Sequence, residues 1–121
     1  MDPDKNLEWY LISANEAASK GNVAGAQAYL SGARGYAAEH RLELPEPSML
    51  QIELIAYRKG AEVALTIAER ALLIGYSDNA QGYLQEAVTY AARVKLNIRA
   101  RVEVIEADLR KELRKKANLR R

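Results

Sequence analysis

Cysteine and phenylalanine are missing from this chain of 121 residues, and histidine and tryptophan occur once each. Without cysteine there are no disulfides, thiolate metal sites or cysteine nucleophiles. A lone His40 with no thiol beside it leaves no ligand set for a transition metal. No run approaches 18 uninterrupted apolar residues, so no membrane-spanning helix is expected. Asp2, Asp4 and Glu8 are wrong for a secretory leader, so a cytoplasmic location is the default expectation. Proline occurs only at positions 3, 45 and 47, and no glycine follows Gly82. Phosphate-cradling loops are missing too: Gly32 and Gly35 fall mid-helix, where backbone N–H groups are already used. No Glu-x-x-His pair suggests a di-iron bundle. These absences point away from an enzyme, a cofactor or a small-molecule substrate.

What remains is helical. Helix one is expected over residues 3–20, with Asp2 as N-cap and Pro3 preset for the first helical position. Gly21 suits the left-handed position that closes a helix. Asn22 then caps helix two, residues 23–42, whose inner face reads Ala26, Tyr29, Leu30, Ala33, Tyr36, Ala37 and His40. Pro45 and Pro47 bracket the one clear linker. Ser48 and Gln51 make a capping-box pattern for helix three, residues 49–74. Its apolar positions form a face wide enough for burial on two sides. Gly75 ends it.

From Asp78 to about Leu119 the apolar residues Leu84, Ala87, Ala91, Val94, Ile98, Val102, Ile105, Leu109 and Leu113 keep helical spacing. With no glycine or proline after Gly82, the spacing predicts one helix of roughly 60 Å. A compact domain of this chain length is only about 35 Å across. The helix is thus expected to protrude, with residues 1–101 forming the domain and 102–121 a basic amphipathic extension. Its stripe, Val102, Ile105, Leu109 and Leu113, then needs a partner: a second copy or another protein. Gly25, Ala28, Gly32 and Gly35 on one side of helix two suggest a second contact. Glycine inside a helix costs up to about 1 kcal/mol relative to alanine, and close approach of another backbone would explain it.

Residues 26–44 align with 80–98 at an offset of 54, with nine of 19 pairs identical. Among them are Ala26/Ala80, Tyr29/Tyr83, Leu30/Leu84, Ala33/Ala87, Tyr36/Tyr90, Ala37/Ala91 and Leu42/Leu96. The preceding helices agree through Leu11/Leu65, Ala14/Ala68, Ala17/Ala71 and Gly21/Gly75. The expectation is an all-α fold of four helices: one antiparallel hairpin occurring twice, the copies stacked. The string Ala14-x-x-Ala17-x-x-x-Gly21-Asn22-x-x-x-Ala26-x-x-Tyr29-Leu30-x-x-Ala33-x-x-Tyr36 resembles tetratricopeptide and related hairpin repeats, including the microtubule-interacting-and-trafficking type. The resemblance covers residues 10–45 and, more loosely, 64–98. It implies a protein-interaction module rather than an enzyme.

The formal charge of +2 is unevenly spread: residues 93–121 hold 11 of the 18 basic and 4 of the 16 acidic side chains. The alternative reading is therefore a nucleic-acid binder. Arg110, Lys111, Arg114, Lys115, Lys116, Arg120 and Arg121 would neutralise phosphates. Against this, the tail has no aromatic residue for base stacking, and Glu106/Arg110 and Glu112/Lys116 at i,i+4 would absorb some charge. Trp and Phe are missing from its apolar side, which disfavours a membrane surface. The tyrosine pairs Tyr29/Tyr36 and Tyr83/Tyr90 read as core rim, with packed rings and wet hydroxyls.

Overall fold

The computed structural model describes residues 3–119. Asp2, Arg120 and Arg121, assigned above to a cap and to the basic tail, lie outside them. The described residues form five α-helices and no strand: α1 Pro3–Ser19, α2 Val23–His40, α3 Glu46–Leu73, α4 Ser77–Arg93 and α5 Arg99–Leu119. The all-α expectation holds; the single long terminal helix does not.

The chain leaves the helix at Val94 without glycine or proline. Lys95 takes a left-handed φ of 54°, and the Leu96 N–H donates to the Ala91 carbonyl at 3.0 Å. The Asn97 side-chain oxygen then accepts from the Arg99 N–H at 3.1 Å, starting α5. A left-handed non-glycine residue costs on the order of 1–3 kcal/mol. Packing offsets it: the turn brings Ile105 into a buried cluster with Ala64, Leu65 and Ala68 of α3 and Leu84 and Ala87 of α4. All of the apolar stripe that looked unpartnered except Leu113 is therefore covered, wholly or in part, by its own chain.

Two other boundaries moved for local reasons. Helix α3 starts at Glu46, the Met49 N–H donating to the Pro45 carbonyl. Pro47 falls in the first turn, where a missing N–H costs nothing. Ser48 is thus inside the helix and does not cap it. At α4 the cap residue is Tyr76, with no side-chain cap bond. Asn22 caps α2 as expected, its Oδ1 accepting from the Gly25 N–H at 2.9 Å.

The chain divides into two compact units between Gly60 and Ala61. The first holds α1, α2 and residues 46–60 of α3. Its core is alanine-rich: Ala14, Ala26 and Ala33 are fully buried beside Leu7, Leu30, Met49 and Ile52. The second holds residues 61–73 of α3 with α4 and α5, burying Leu65, Ala68, Ala80, Leu84, Ala87, Ile105 and Leu109. Alanine faces let helix axes approach closely.

The same turns recur in each unit. Gly21 and Gly75 both have left-handed φ, 75° and 84°. The Asn22 N–H donates to Ala17 and the Tyr76 N–H to Ala71, at 2.9 and 2.8 Å. Arg41 and Lys95 share a φ of 54°, and Leu42 N–H to Ala37 matches Leu96 N–H to Ala91. The next connection is one residue shorter in the second unit: Met49 N–H to Pro45 corresponds to Val102 N–H to Ile98, an offset of 53. The recurring pattern thus has three helical segments, α1–α2–α3 and then α3–α4–α5, where the sequence suggested a two-helix hairpin.

One repeated position is defective. Val23 is buried in the first unit; its counterpart Ser77 is also buried, and the Ser77 hydroxyl has no hydrogen-bond partner. A buried hydroxyl without a partner costs roughly 1–3 kcal/mol. Ser77→Ala, which deletes only that oxygen, is expected to raise stability by about 1 kcal/mol in a denaturant melt; a loss of that size would reveal a partner.

Candidate interaction surfaces

Of the expected seam, Ile105 and Leu109 are 2% and 7% exposed, Val102 is half-buried against the same cluster, and Leu113 alone is open, at 45%. These residues are chiefly core. Arg101 reaches α3: its Nη2 lies 2.7 Å from Glu69 Oε1. Arg99 pairs with Glu103 at 3.0 Å.

The small-residue side of α2 has local causes at two positions. A Cβ on Gly25 would fall 2.5 Å from the capping Asn22 amide, and one on Gly32 would fall 2.7 Å from the Tyr10 ring. Gly32 is small because Tyr10 of α1 lies on it. At the matching positions in the second unit stand Glu86 and Ala64, so large and small have changed places. The Tyr90 hydroxyl there donates to Glu86 at 2.7 Å. Ala28 is exposed, and nothing approaches a Cβ on Gly35 within 4 Å. Gly25 and Gly32 thus have causes within the chain, while Ala28 and Gly35 stay open.

Tyr10 belongs to an aromatic array on α1 and α2. Trp9 meets Tyr10 and Tyr29 edge-on at 5.1 and 5.7 Å. Tyr10 leans on Tyr36 at 5.9 Å, and Tyr36 covers the exposed His40 at 4.2 Å. Asn6 Nδ2 donates to the Tyr36 hydroxyl at 3.0 Å. The tyrosines are rim residues, and His40 is a packed surface histidine. No group of three or more His, Cys, Asp or Glu among the described residues is placed to hold a metal.

Beyond Leu109, helix α5 presents five exposed cations, Arg110, Lys111, Arg114, Lys115 and Lys116. Neither i,i+4 pair anticipated for Arg110 and Lys116 is formed among the described residues. Glu112 takes Lys115 at 3.5 Å, and Lys116 Nζ donates to the Gly75 carbonyl at 3.3 Å. A cation beside the carbonyl end of α3 is favoured by the helix dipole.

Two surface grooves flank α5 in the second unit. One, about 620 Å³, lies against α4 and includes Val88 and Leu113. The other, about 690 Å³, runs between α3 and α5, with Leu72, Ala100 and Ile105 among its lining residues and Leu73 and Val104 at its lips. Leu73 is 86% exposed and Val104 62%. No family model matches this chain, and no curated protein or solved structure matches it either.

The first unit has Ser19 and Gln51 at the positions corresponding to Leu73 and Val104. Both are exposed, so the fold does not require apolar residues at these positions. Sequence reasoning passed over Leu73 and Val104. Their signal was the run Leu72-Leu73-Ile74 standing 54 residues after Ala18-Ser19-Lys20. Among the described residues no helix is long and apolar enough to cross a membrane.

Proposed function

We propose that this chain is a non-enzymatic protein-interaction module that works through the α3/α5 groove of its second unit. The observation that carries the reading is the pair Leu73 and Val104, largely exposed on facing helices where the first unit is polar. Large apolar side chains held in water at the mouth of a groove are a cost that contact with another protein removes. The resemblance to tetratricopeptide-type hairpins supports the same reading, as does the recurrence of one turn geometry 54 residues apart. The partner is another protein or a second copy of this chain.

The expected result is association that Leu73→Glu with Val104→Glu abolishes while helicity is unchanged, because both side chains are already solvent-exposed. Sedimentation across a wide concentration range checks self-association, and binding of amphipathic helical peptides checks partners. A strict monomer that takes up no such peptide counts against the reading. One observation favours nucleic acid as a second reading: residues 110–116 hold five exposed cations against the single carboxylate Glu112. That reading requires affinity that falls steeply with salt and is lost when Arg114, Lys115 and Lys116 become Gln; no binding at low salt dismisses it.

A further inference from the structure

We infer that the aromatic cleft between α1 and α2 in the first unit binds an N-methylated ammonium group. The site lies apart from the α3/α5 groove, so the inference goes beyond the reading above and does not depend on it. The cleft holds about 460 Å³ and is lined by Asn6, Trp9, Tyr10 and Tyr36. Three of those four are aromatic. Their rings are inclined to one another, Trp9 to Tyr10 by 71° and Tyr10 to Tyr36 by 46°, so they form walls rather than a flat platform. Asn6 turns its amide nitrogen to the Tyr36 hydroxyl, which leaves the oxygen, the negative end of the amide, for a ligand.

The fold does not require these residues. The 54-residue repeat puts Gly60, Val63 and Ala64 where Asn6, Trp9 and Tyr10 stand; of the four only Tyr36 recurs, as Tyr90. Yet Trp9 is 55% exposed, and Tyr10 is seated only because Gly32 has no Cβ. A large ring held half in water beside a cleft, where its counterpart is valine, is explained by a ligand that covers it.

Charge selects the ligand. Among the described residues no ionised side chain lines the cleft; its negative features are π faces and the oxygens of Asn6 and the tyrosines. Beside it on α1 stand Asp4, Lys5 and Glu8, two carboxylates against one ammonium. On α2 Arg34 lines a different cleft, and His40 packs against Tyr36. An anion finds no basic group in the lining. A primary ammonium, strongly hydrated, finds no carboxylate there to replace its water. N-methylation removes N–H groups and with them that hydration; the methyl groups bury against the rings while the charge meets their π faces. A sugar would need its hydroxyls matched all round, and besides the tyrosine hydroxyls the lining offers one amide, half of it already used.

The test follows the methyl proton resonances of choline, and of the neutral alcohol in which carbon replaces its nitrogen, titrated with the full chain. Those of choline should move upfield, the mark of a group held over aromatic rings, with an affinity about tenfold above that of the alcohol. Trp9→Ala should abolish the shift with helicity unchanged, since the ring is more than half exposed, and Trp9→Phe should keep part of it. Matched peptides carrying trimethyllysine or lysine separate the sources. Tighter binding of the trimethylated peptide than of choline supports the site and assigns the group to a modified protein; the reverse order supports it and assigns a free solute. Equal binding of choline and the alcohol overturns the charge assignment, as does equal binding of the two peptides. A methyl glucoside binding more tightly than choline overturns the ligand class. No shift of any probe, or a shift that survives Trp9→Ala, overturns the site itself.

Discussion

Deleting residues 102–121 should unfold the second unit rather than release a better-behaved monomer. On the protruding-helix expectation the truncation trims a sticky rod. On the structure it removes Ile105 and Leu109 from the core and uncovers Leu65, Leu84 and Ala87. A single change is enough to see the direction. Ile105 is 2% exposed and touches residues of both α3 and α4, so Ile105→Ala should cost about 2–5 kcal/mol through lost burial and the cavity left behind. Against a total stability of roughly 5–15 kcal/mol that is a large fraction. Circular dichroism melts and light scattering of the variants check it: loss of helix with aggregation is expected. A truncated chain that keeps full helicity per residue would show that α5 is dispensable.

The second large effect concerns Gly32. Alanine is the better helix former by about 1 kcal/mol, so exposed helical glycines normally gain from the exchange. Gly35→Ala, with nothing within 4 Å of the new Cβ, should stabilise by about that amount. Gly32→Ala should do the reverse, losing about 1–3 kcal/mol to overpacking, because its Cβ would stand 2.7 Å from Tyr10 Cε1. The sign should switch when Tyr10 is also changed to Ala, a coupling that a double-mutant cycle measures directly. The second unit already shows the alternative solution, with Ala64 and Glu86 in these places. Tyr10→Ala with Gly32→Glu should therefore fold better than Gly32→Glu alone. Equal effects at Gly32 and Gly35 in the wild-type background would mean that the ring moves aside freely.

The helical class, the caps at Gly21 and Asn22 and the 54-residue repeat were legible in the sequence because each rests on local chemistry: apolar spacing, a left-handed glycine, a side-chain acceptor. The break at Val94–Ile98 was missed because it uses none of these. The first unit makes the same turn at Arg41, also without glycine, and its prolines follow only at Pro45 and Pro47. Those prolines mark the turn in the first unit alone, whereas the Leu42–Ala37 and Leu96–Ala91 bonds are common to both turns. Residues 41–44 and 95–98 lie within the repeated stretch, so the turn itself is part of the repeat. The groove was harder. Leu73 and Val104 gain meaning only against Ser19 and Gln51, and the 53-residue register that pairs Val104 with Gln51 follows from a loop one residue shorter, visible only in the folded chain.

The chain's only indole has a practical consequence. Trp9 lies edge-on to Tyr10 and Tyr29 in the first unit, and residues 61–121 contain no tryptophan. Its emission spectrum therefore watches one half of the molecule, while far-ultraviolet ellipticity sums both halves. Heating curves recorded by the two methods superimpose if the halves melt together and part if they melt in turn.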